Sequence, residues 1–527
     1  MTTTQKAISA TLILVWGIAC WAFFQFAYQH HLFYQEQNQL FLLAADYIGG
    51  YLQQPAWLAR MAGEAITQFY YYLYAAPIIL TLALLTVGDL THRALQRAGA
   101  QWGWAFAIAI AVMTLEALMA LHITHRLSSV IALGGGLAAY LVASRLCRGA
   151  VSTAITLTLT ALLTYWLFGY GVWVLQVLLV VEAGLKRSQQ RSWTASLFLI
   201  PLVVALIVAL TAPRLFCLTP AKALTYPGIG RPTLPERLIE KNLAVADDYY
   251  FGQHSRVKRL VEKDPHPTNE MLFFYNLVMA QQDSLPDALM RHTPNQLGTF
   301  YTIGPKSARF TIINMNELYW ALGDMTLTER AAMMTNVFAP QNRNVRMIKR
   351  LAECNLVSGD TLAANKYLRL LSKTVAYRTW AKRMKDRQQP YYQYIADKRS
   401  FTNQADTIRI GDNLHRVMMQ LLDSNPRNTT ALDYILCSTL LLKDLDNFKR
   451  DYDRYCYGLE HERVKPLYQQ ALMIYLAGTE APKEEWAKYI HDERQLQRFA
   501  DYNAHRGDPR FRDTYWYYFD TAKPPQP

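Results

Sequence analysis

The sequence predicts an all-α protein in two parts: a polytopic bundle of about seven transmembrane helices, then an α-solenoid of tetratricopeptide-like helix pairs. Two observations carry this prediction. Apolar segments long enough to cross a bilayer follow one another up to residue 213, and none comes after it. From residue 236 onward, apolar residues keep a helical period and helix-breaking residues interrupt them at short intervals.

The first half, residues 1–213, is predicted to be the transmembrane domain. At about 1.5 Å per residue, roughly twenty helical residues cover a hydrocarbon core about 30 Å thick. Only Gly169, Tyr170 and Gly171 separate the fifth apolar segment from the sixth. The predicted spans are residues 7–27, 67–87, 102–121, 129–146, 151–168, 170–185 and 193–212.

Basic residues in the short connections predict the orientation, because Lys and Arg concentrate on the cytoplasmic side of a membrane. Arg60 and Arg126 fall on one side of the predicted spans. Eight basic residues fall on the other side: Lys6, Arg93, Arg97, Arg145, Arg148, Lys186, Arg187 and Arg191. This predicts a multi-pass protein of the bacterial inner membrane with a cytoplasmic N-terminus. The linker 214–235 and the repeat domain 236–527 would then be extracytoplasmic.

The first outer loop, residues 28–66, is the longest connection between predicted spans. Apolar residues at helical spacing from Leu40 to Tyr47, followed by breaks at Gly49-Gly50 and Pro55, predict two short helices at the membrane interface. The simplest interpretation is an amphipathic loop that packs across the outer ends of the spans.

Three carboxylates near this outer face are candidate catalytic residues, namely Glu36, Asp46 and Glu116. A carboxylate within a span is unfavourable unless it faces a partner or water, so Glu116 is a functional candidate; a structural hydrogen bond between spans is the alternative. His122 and His125 are three residues apart, would share a helix face, and could bind a metal if carboxylates were near.

The topology of residues 1–213 resembles the membrane module of the GT-C class of polyprenyl-phosphate-dependent glycosyltransferases. The shared features are seven spans, a long first outer loop with interfacial helices, an acidic residue soon after the first span, and a soluble extracytoplasmic tail. The resemblance implies that Glu36 is the catalytic base and that Arg126 contacts a phosphate. A divalent metal is expected as cofactor only if the protein is such a glycosyltransferase.

In the second half, two segments match the tetratricopeptide pattern. Their predicted turn glycines, Gly323 and Gly359, lie 36 residues apart, and Ala364 occupies the small position of the second unit. Small residues let the two helices of a pair approach, and glycine permits the tight turn between them. The aromatic tail around Tyr515–Phe519 is predicted to close the last repeat, and the final Pro-rich residues to fray.

Four stretches are similar to an uncharacterised family of bacterial polytopic membrane proteins that have this same plan. They are YQEQNQLF, VEKDPHPTN, KRLAECNLVSGD and AANKYLRLLSKTVAYRTWA. The resemblance implies the topology and the helical-repeat tail, and it implies no activity.

Basic residues are concentrated between Arg343 and Ser400. This stretch contains fourteen Lys/Arg but only four Asp/Glu, with aromatic residues between them. Nucleic acid is not expected as a partner in an extracytoplasmic location. Anionic lipid head groups, a phosphorylated glycolipid or an acidic protein segment fit better; a solvated face with a basic collar near the membrane is the alternative. The candidate binding residues are Arg346, Arg350, Arg369, Arg378, Trp380, Lys382 and Arg383.

No nucleophile elbow, phosphate loop, HExxH motif, kinase motif set or dinucleotide fingerprint occurs in a suitable context. The leading hypothesis is therefore a cell-envelope scaffold whose solenoid binds a protein or anionic glycan partner. Because seven spans exceed what an anchor needs, a GT-C-like transferase using a lipid-linked donor at the outer face remains the alternative hypothesis, and whether the protein is an enzyme stays open.

Overall fold

The computed structural model describes residues 3–146, 150–185, 194–292, 296–300, 309–402, 413–458 and 464–523. Within these residues every regular element is a helix, which confirms the all-α class. Several residues used for the predictions lie outside the described part of the chain: Arg148, Lys186, Arg187, Arg191, Trp193 and residues 524–527.

The chain divides into two compact units. The membrane unit comprises Met1–Glu240 together with Arg343–Val345 and Arg369–Lys382. The helical unit comprises Lys241–Asn342, Arg346–Leu368 and Arg383–Pro527. Two short pieces of the second half of the chain therefore belong to the membrane unit.

The helices up to residue 225 all belong to the membrane unit, and a 3₁₀ turn at Gln68–Tyr71 precedes the fifth. They are α1 (Thr3–Phe26), α2 (His30–Gln37), α3 (Ala45–Tyr51), α4 (Trp57–Thr67), α5 (Ala75–Ala98), α6 (Trp102–Ala120), α7 (Leu127–Leu146), α8 (Ala150–Phe168), α9 (Gly171–Leu185), α10 (Thr194–Leu215) and α11 (Pro220–Thr225).

Four of these helices are long and apolar enough to cross a membrane, which indicates a membrane protein. They are Ala7–Phe26 within α1, and α5, α6 and α7. Shorter apolar stretches, Ile155–Phe168, Gly171–Glu182 and Leu206–Leu215, lie within α8, α9 and α10. The fifth and sixth apolar segments of the sequence form separate helices, α8 and α9, joined at Gly169-Tyr170.

Two glycines allow close backbone contacts in this bundle. A Cβ at Gly136 of α7 would lie 2.2 Å from the carbonyl oxygen of Gly171 at the start of α9. Gly169 has φ +56°, and a Cβ there would lie 2.0 Å from the carbonyl oxygen of Tyr226. Helices α7 and α9 therefore meet at a distance that larger residues would prevent.

The loop 28–66, which was predicted to be the first outer loop, contains more helix than predicted, and in different places. Residues 38–44 are not helical, whereas Gly49-Gly50 lies inside α3. Leu40 is buried although no helix carries it. The backbone here bonds to distant chain segments, because Leu43 N donates to Lys373 O at 2.7 Å and Val345 N donates to Gln39 O at 3.1 Å. These long-range bonds satisfy the N–H of Leu43 and the C=O of Gln39, which lie outside the helices.

The predicted linker 214–235 belongs to the membrane unit and packs against its helices. Tyr170 N donates to Tyr226 O at 2.8 Å, and Trp173 Nε1 donates to Leu224 O at 2.7 Å. A Cβ at Gly230 would come within 2.4 Å of Nδ1 of His125. Gly230 thus allows this stretch to pack closely against the turn that contains His125.

The second half of the chain consists of helices and short 3₁₀ turns. The helices are α12 (Arg237–Tyr250), α13 (His254–Lys263), α14 (Asn269–Gln281), α15 (Leu285–Ala288), α16 (Arg309–Leu322), α17 (Met325–Phe338), α18 (Val345–Ser358), α19 (Thr361–Leu371), α20 (Arg378–Lys385), α21 (Gln393–Phe401), α22 (Leu414–Ser424), α23 (Thr429–Leu441), α24 (Leu445–Tyr455), α25 (Pro466–Gly478), α26 (Lys483–Tyr489), α27 (Glu493–Ala504) and α28 (Tyr515–Thr521).

Both predicted turn glycines lie between two helices. Gly323 has φ +79° between α16 and α17, and Gly359 has φ +87° between α18 and α19. The aromatic tail is packed inside the helical unit, with Trp516 1% exposed and its Nε1 donating to Gln470 O at 3.0 Å. The tail is therefore part of the core of this unit.

Candidate functional site

Glu36 lies on α2 and is buried, with 2% of its surface exposed. Tyr377, which belongs to the membrane unit, donates a hydrogen bond from its hydroxyl to Glu36 Oε2 at 3.2 Å. Burial raises the pKa of the Glu36 carboxyl to about 8, against the opposing effect of the Tyr377 hydrogen bond. The carboxyl is therefore mostly protonated at neutral pH.

The start of α2 is held by a second carboxylate. Glu240 accepts hydrogen bonds from the backbone N–H of His30 at 2.6 Å and of His31 at 3.3 Å. A carboxylate at this position satisfies free amide groups and complements the helix dipole. The His31 ring lies between Glu240 Oε2, 3.5 Å from Nδ1, and the carbonyl oxygen of Ala120, 2.9 Å from Nε2. Glu240 therefore fixes the start of α2, and His31 joins α2 to the last residue of α6.

Glu116 forms a buried pair with His125, with 3.4 Å between Glu116 Oε2 and His125 Nε2. Gln35 Nε2 donates to the carbonyl oxygen of His125 at 2.8 Å, so α2 also contacts the turn that follows α6. The carboxylate that lies within the third predicted span thus has a partner from the adjacent turn. The alternative expected for Glu116 was a hydrogen bond between spans; the partner observed instead lies in the turn after α6, with its ring nitrogen 3.4 Å from the carboxylate.

The metal-binding arrangement expected for His122 and His125 is not formed. Helix α6 ends at Ala120, so the two histidines lie in a turn and share no helix face. His122 Nδ1 lies 2.7 Å from Thr124 Oγ1, whereas His125 contacts Glu116. Among the residues that the structure describes, no group of three or more His, Cys, Asp or Glu side chains could hold a metal ion.

Asp46, the third candidate carboxylate, is exposed in the first turn of α3. A carboxylate at the start of a helix is stabilised by the free backbone amides and the helix dipole, which explains this position without chemistry. The structure therefore brings Glu116 and His125 together and leaves Asp46 at the surface.

A polar network that sequence reasoning missed surrounds Arg60. The guanidinium donates to Tyr226 OH at 2.6 Å and to Gln54 Oε1, and it pairs with Glu64 Oε1 at 3.2 Å. Tyr51 OH donates to the other oxygen of Glu64. The only sequence signal was the four-residue spacing of Arg60 and Glu64 on one helix, because Tyr226 comes from the linker.

Arg126, the predicted phosphate contact, is half-buried close to this network. Burial raises the pKa of the Tyr226 hydroxyl, and the charges of Arg60 and Arg126 both act to lower it. Arg126 and Arg60 therefore place two positive charges around the same tyrosine.

The structure corrects the expected position of Arg346 and Arg350, because neither lies on an exposed basic face. Arg346 Nη2 lies 2.8 Å from Glu317 Oε1, and Arg350 Nη2 lies 2.6 Å from Glu317 Oε2, with all three side chains buried. Arg350 also pairs with Glu353 at 3.1 Å and stacks over Trp320 at 4.3 Å. Within the helical unit these arginines hold α18 against α16.

The remaining basic candidates are more accessible. Arg369, Arg378 and Lys382 are exposed, and Trp380 is half-buried. Arg383 is half-buried, with its guanidinium 3.7 Å from the centre of the Tyr391 ring. The exposed part of the predicted basic region is therefore concentrated after residue 368.

A search of protein-family models matches this chain to a family described as a family of unknown function, DUF6057, over residues 4–239 and 230–522. The two matched segments together cover nearly the whole chain. No curated protein matches it. No solved structure matches it either.

Proposed function

The chain belongs to the DUF6057 family of unknown function, and we propose that it is a multi-pass cell-envelope protein that acts as a scaffold. Its membrane helices anchor it in the bacterial inner membrane with about seven spans, and its extracytoplasmic, tetratricopeptide-like domain binds a partner protein. An anionic glycan is the other partner class that the basic region would suit.

The state of the candidate catalytic residues supports the scaffold over the transferase. A general base must reach its substrate. Glu36 is 2% exposed, and its carboxyl accepts the hydroxyl of Tyr377 within the same unit. Glu116 is buried against His125. Both carboxyl groups serve contacts inside the protein, as expected for residues that hold a framework together.

The observation that carries the proposal is an open apolar groove along α17 in the helical unit. Its volume is about 430 Å³. Val337 is 63% exposed, Phe338 55%, Met333 46% and Met334 38%. Contiguous exposed apolar side chains on a soluble helical surface are typical of protein-binding sites, and methionine adapts to partners of different shape. The described residues that line the groove are Thr326, Glu329, Arg330, Met333, Met334, Val337 and Phe338.

The spacing of the exposed residues suits an amphipathic helix as the bound element. Met333 and Val337 are four residues apart, as are Met334 and Phe338, so they form two adjacent rows along α17. A partner helix that places apolar side chains every three or four residues could pack against both rows.

Site-specific photo-crosslinking in cells tests this proposal. A photoreactive residue at Val337 should give one discrete protein adduct, and the adduct should disappear when the neighbouring Met333 is replaced by Asp. The matched control is the same photoreactive residue at Leu362, which is 83% exposed on α19 outside the groove. Equal adducts at Val337 and Leu362, or an adduct that survives Met333→Asp, would refute partner binding in the groove.

A parallel experiment tests the transferase alternative. Cells that carry Glu36→Ala should keep the same lipid-linked glycans as wild-type cells, at equal protein abundance, if the protein is a scaffold. Loss of a glycan product in that variant, with the Val337 adduct intact, would favour the transferase.

A further inference from the structure

The segment Arg369–Lys382, which we call the basic segment, belongs to the membrane unit although it lies far along the chain. It contains four Lys/Arg and no Asp or Glu. All four cations, Arg369, Lys373, Arg378 and Lys382, are exposed. Because all charged residues of the segment are positive, the electrostatic field around it is positive, and no acidic residue within the segment cancels it.

Three contacts tie the basic segment to the loop 28–66 and to the 3₁₀ turn that follows it in the membrane unit. The carbonyl oxygen of Lys373 accepts the bond from Leu43 N at 2.7 Å. Val375 N donates to Gln68 Oε1 at 2.9 Å. The rings of Tyr377 and Tyr71 meet edge to face with 5.1 Å between their centres. The backbone of the segment is therefore held beside the 3₁₀ turn Gln68–Tyr71.

These contacts place the segment close to the ends of two membrane-length helices. Tyr71 lies four residues before Ala75, where α5 begins, and four residues of chain reach at most about 14 Å. Glu36, which bonds Tyr377, lies on α2, and α2 begins four residues after the last residue of α1. Each polar layer of a bilayer is about 5–7 Å thick, and charges act over a Debye length of about 8 Å at physiological salt.

The side chains of the segment suit phosphate head groups. Arg378 Nε donates to the carbonyl oxygen of Ser372 at 3.1 Å, which orients this guanidinium on the segment. Trp380 is half-buried between Arg378 and Lys382 in sequence, and tryptophan is enriched where a membrane meets water. Its neighbours offer the cations that attract anionic lipid to a juxtamembrane segment.

We propose that the basic segment is a binding surface for the phosphodiester head groups of anionic phospholipids at the membrane face. The four cations hold the head groups, and the contacts with Leu43, Gln68 and Tyr71 keep the segment at head-group depth. This inference needs the membrane helices but not the partner protein proposed for the α17 groove, so either can fail without the other.

The test uses the purified full-length protein in neutral detergent, titrated with phosphatidylglycerol or phosphatidylcholine, with bound lipid counted by native mass spectrometry. If two cations contact each phosphate and each raises the affinity about five-fold, phosphatidylglycerol should bind about 25-fold more tightly than phosphatidylcholine. Replacing all four cations of the segment by Gln should reduce the preference to less than about three-fold. The thermal unfolding temperature should change little, because the four side chains are exposed and the Arg378 hydrogen bond to Ser372 lies at the surface.

The matched control replaces four exposed cations of the helical unit by Gln and should keep the full preference. Its positions are Arg259, Lys263, Lys483 and Arg494. A second measurement on the unaltered protein covers the case in which the variant does not fold. Raising the salt concentration from about 0.1 M to about 1 M shortens the Debye length from roughly 10 Å to 3 Å and should remove most of the preference.

Three results would overturn the proposal. The first is equal binding of the two lipids by the wild-type protein, and the second is a phosphatidylglycerol preference that survives in the four-Gln variant or at high salt. The third is tight binding of a polyglutamate peptide without any lipid preference, which would assign the segment to an acidic protein.

Discussion

Replacing Glu36 by Gln should remove a pH dependence of stability that the buried carboxyl creates. In the folded protein burial raises the pKa of Glu36 to about 8, whereas an unfolded glutamate titrates near 4.5. Between these two pH values the unfolded chain has lost a proton that the folded chain keeps. The free energy of unfolding therefore falls as pH rises through this window and becomes constant above it. Gln stays neutral at every pH and has no such term.

The size of the effect follows from the two pKa values. Each pKa unit corresponds to about 1.4 kcal/mol, so the wild-type protein is destabilised by about 3 kcal/mol at pH 7 relative to a neutral side chain. The amide of Gln can accept the Tyr377 hydrogen bond, but it adds an N–H that needs a partner and costs about 1–3 kcal/mol if it finds none. The variant should therefore lose the slope, and at pH 7 it should be as stable as the wild type or more stable.

The assay is thermal unfolding of the purified protein in detergent, followed by tryptophan fluorescence between about pH 5 and pH 8. The difference between the variant and the wild type should grow steadily with pH. Asp46→Asn is the control, because Asp46 is exposed and its removal should leave the wild-type slope in place. Parallel pH profiles for the wild type and Glu36→Gln would refute the assignment of a buried, neutral Glu36.

Two further predictions concern packing. Glu317→Gln leaves Arg346 and Arg350 buried without their shared carboxylate. The helical unit should therefore lose about 3–5 kcal/mol of unfolding free energy, measured in a denaturant titration. A loss below about 1 kcal/mol would contradict the buried ion network. Gly136→Ala places a methyl group against the backbone of α9 and should lower the thermal unfolding temperature. Gly49→Ala is the control, because a Cβ at that position has no atom within 4 Å and should leave the temperature unchanged. Equal effects of the two substitutions would contradict the close contact at Gly136.

Local periodicity predicted the parts of the fold that depend on neighbours in sequence. The long apolar segments became α1, α5, α6 and α7, because length and composition alone decide whether a helix can cross a membrane. Gly323 and Gly359 became positive-φ turns for the same kind of local reason, since few other residues adopt that conformation without strain.

The candidate site was harder to predict because its contacts join distant segments. Glu36 is bonded by a tyrosine 341 positions away, and no local pattern indicates such a partner. The same problem affected the basic region, where Arg346 and Arg350 looked like surface cations until Glu317 of α16 supplied their buried partner. The residues around Leu40 have a helical spacing in the sequence, yet the chain there is not helical and bonds to Lys373 and Val345.

The position of the basic segment in the chain sets an order for biogenesis. The ribosome makes α1 to α11 first, so the four membrane-length helices among them can enter the membrane more than one hundred residues before the segment that bonds Glu36 is synthesised. During that interval the carboxyl lacks the Tyr377 hydroxyl, and the membrane unit lacks two of its three chain segments. A chain truncated after Glu240 should therefore insert into the membrane, but its membrane unit should stay incompletely folded and be cleaved more readily by proteases. Supplying residues 241–527 as a separate polypeptide should restore protection of the outer loop only if the two pieces assemble.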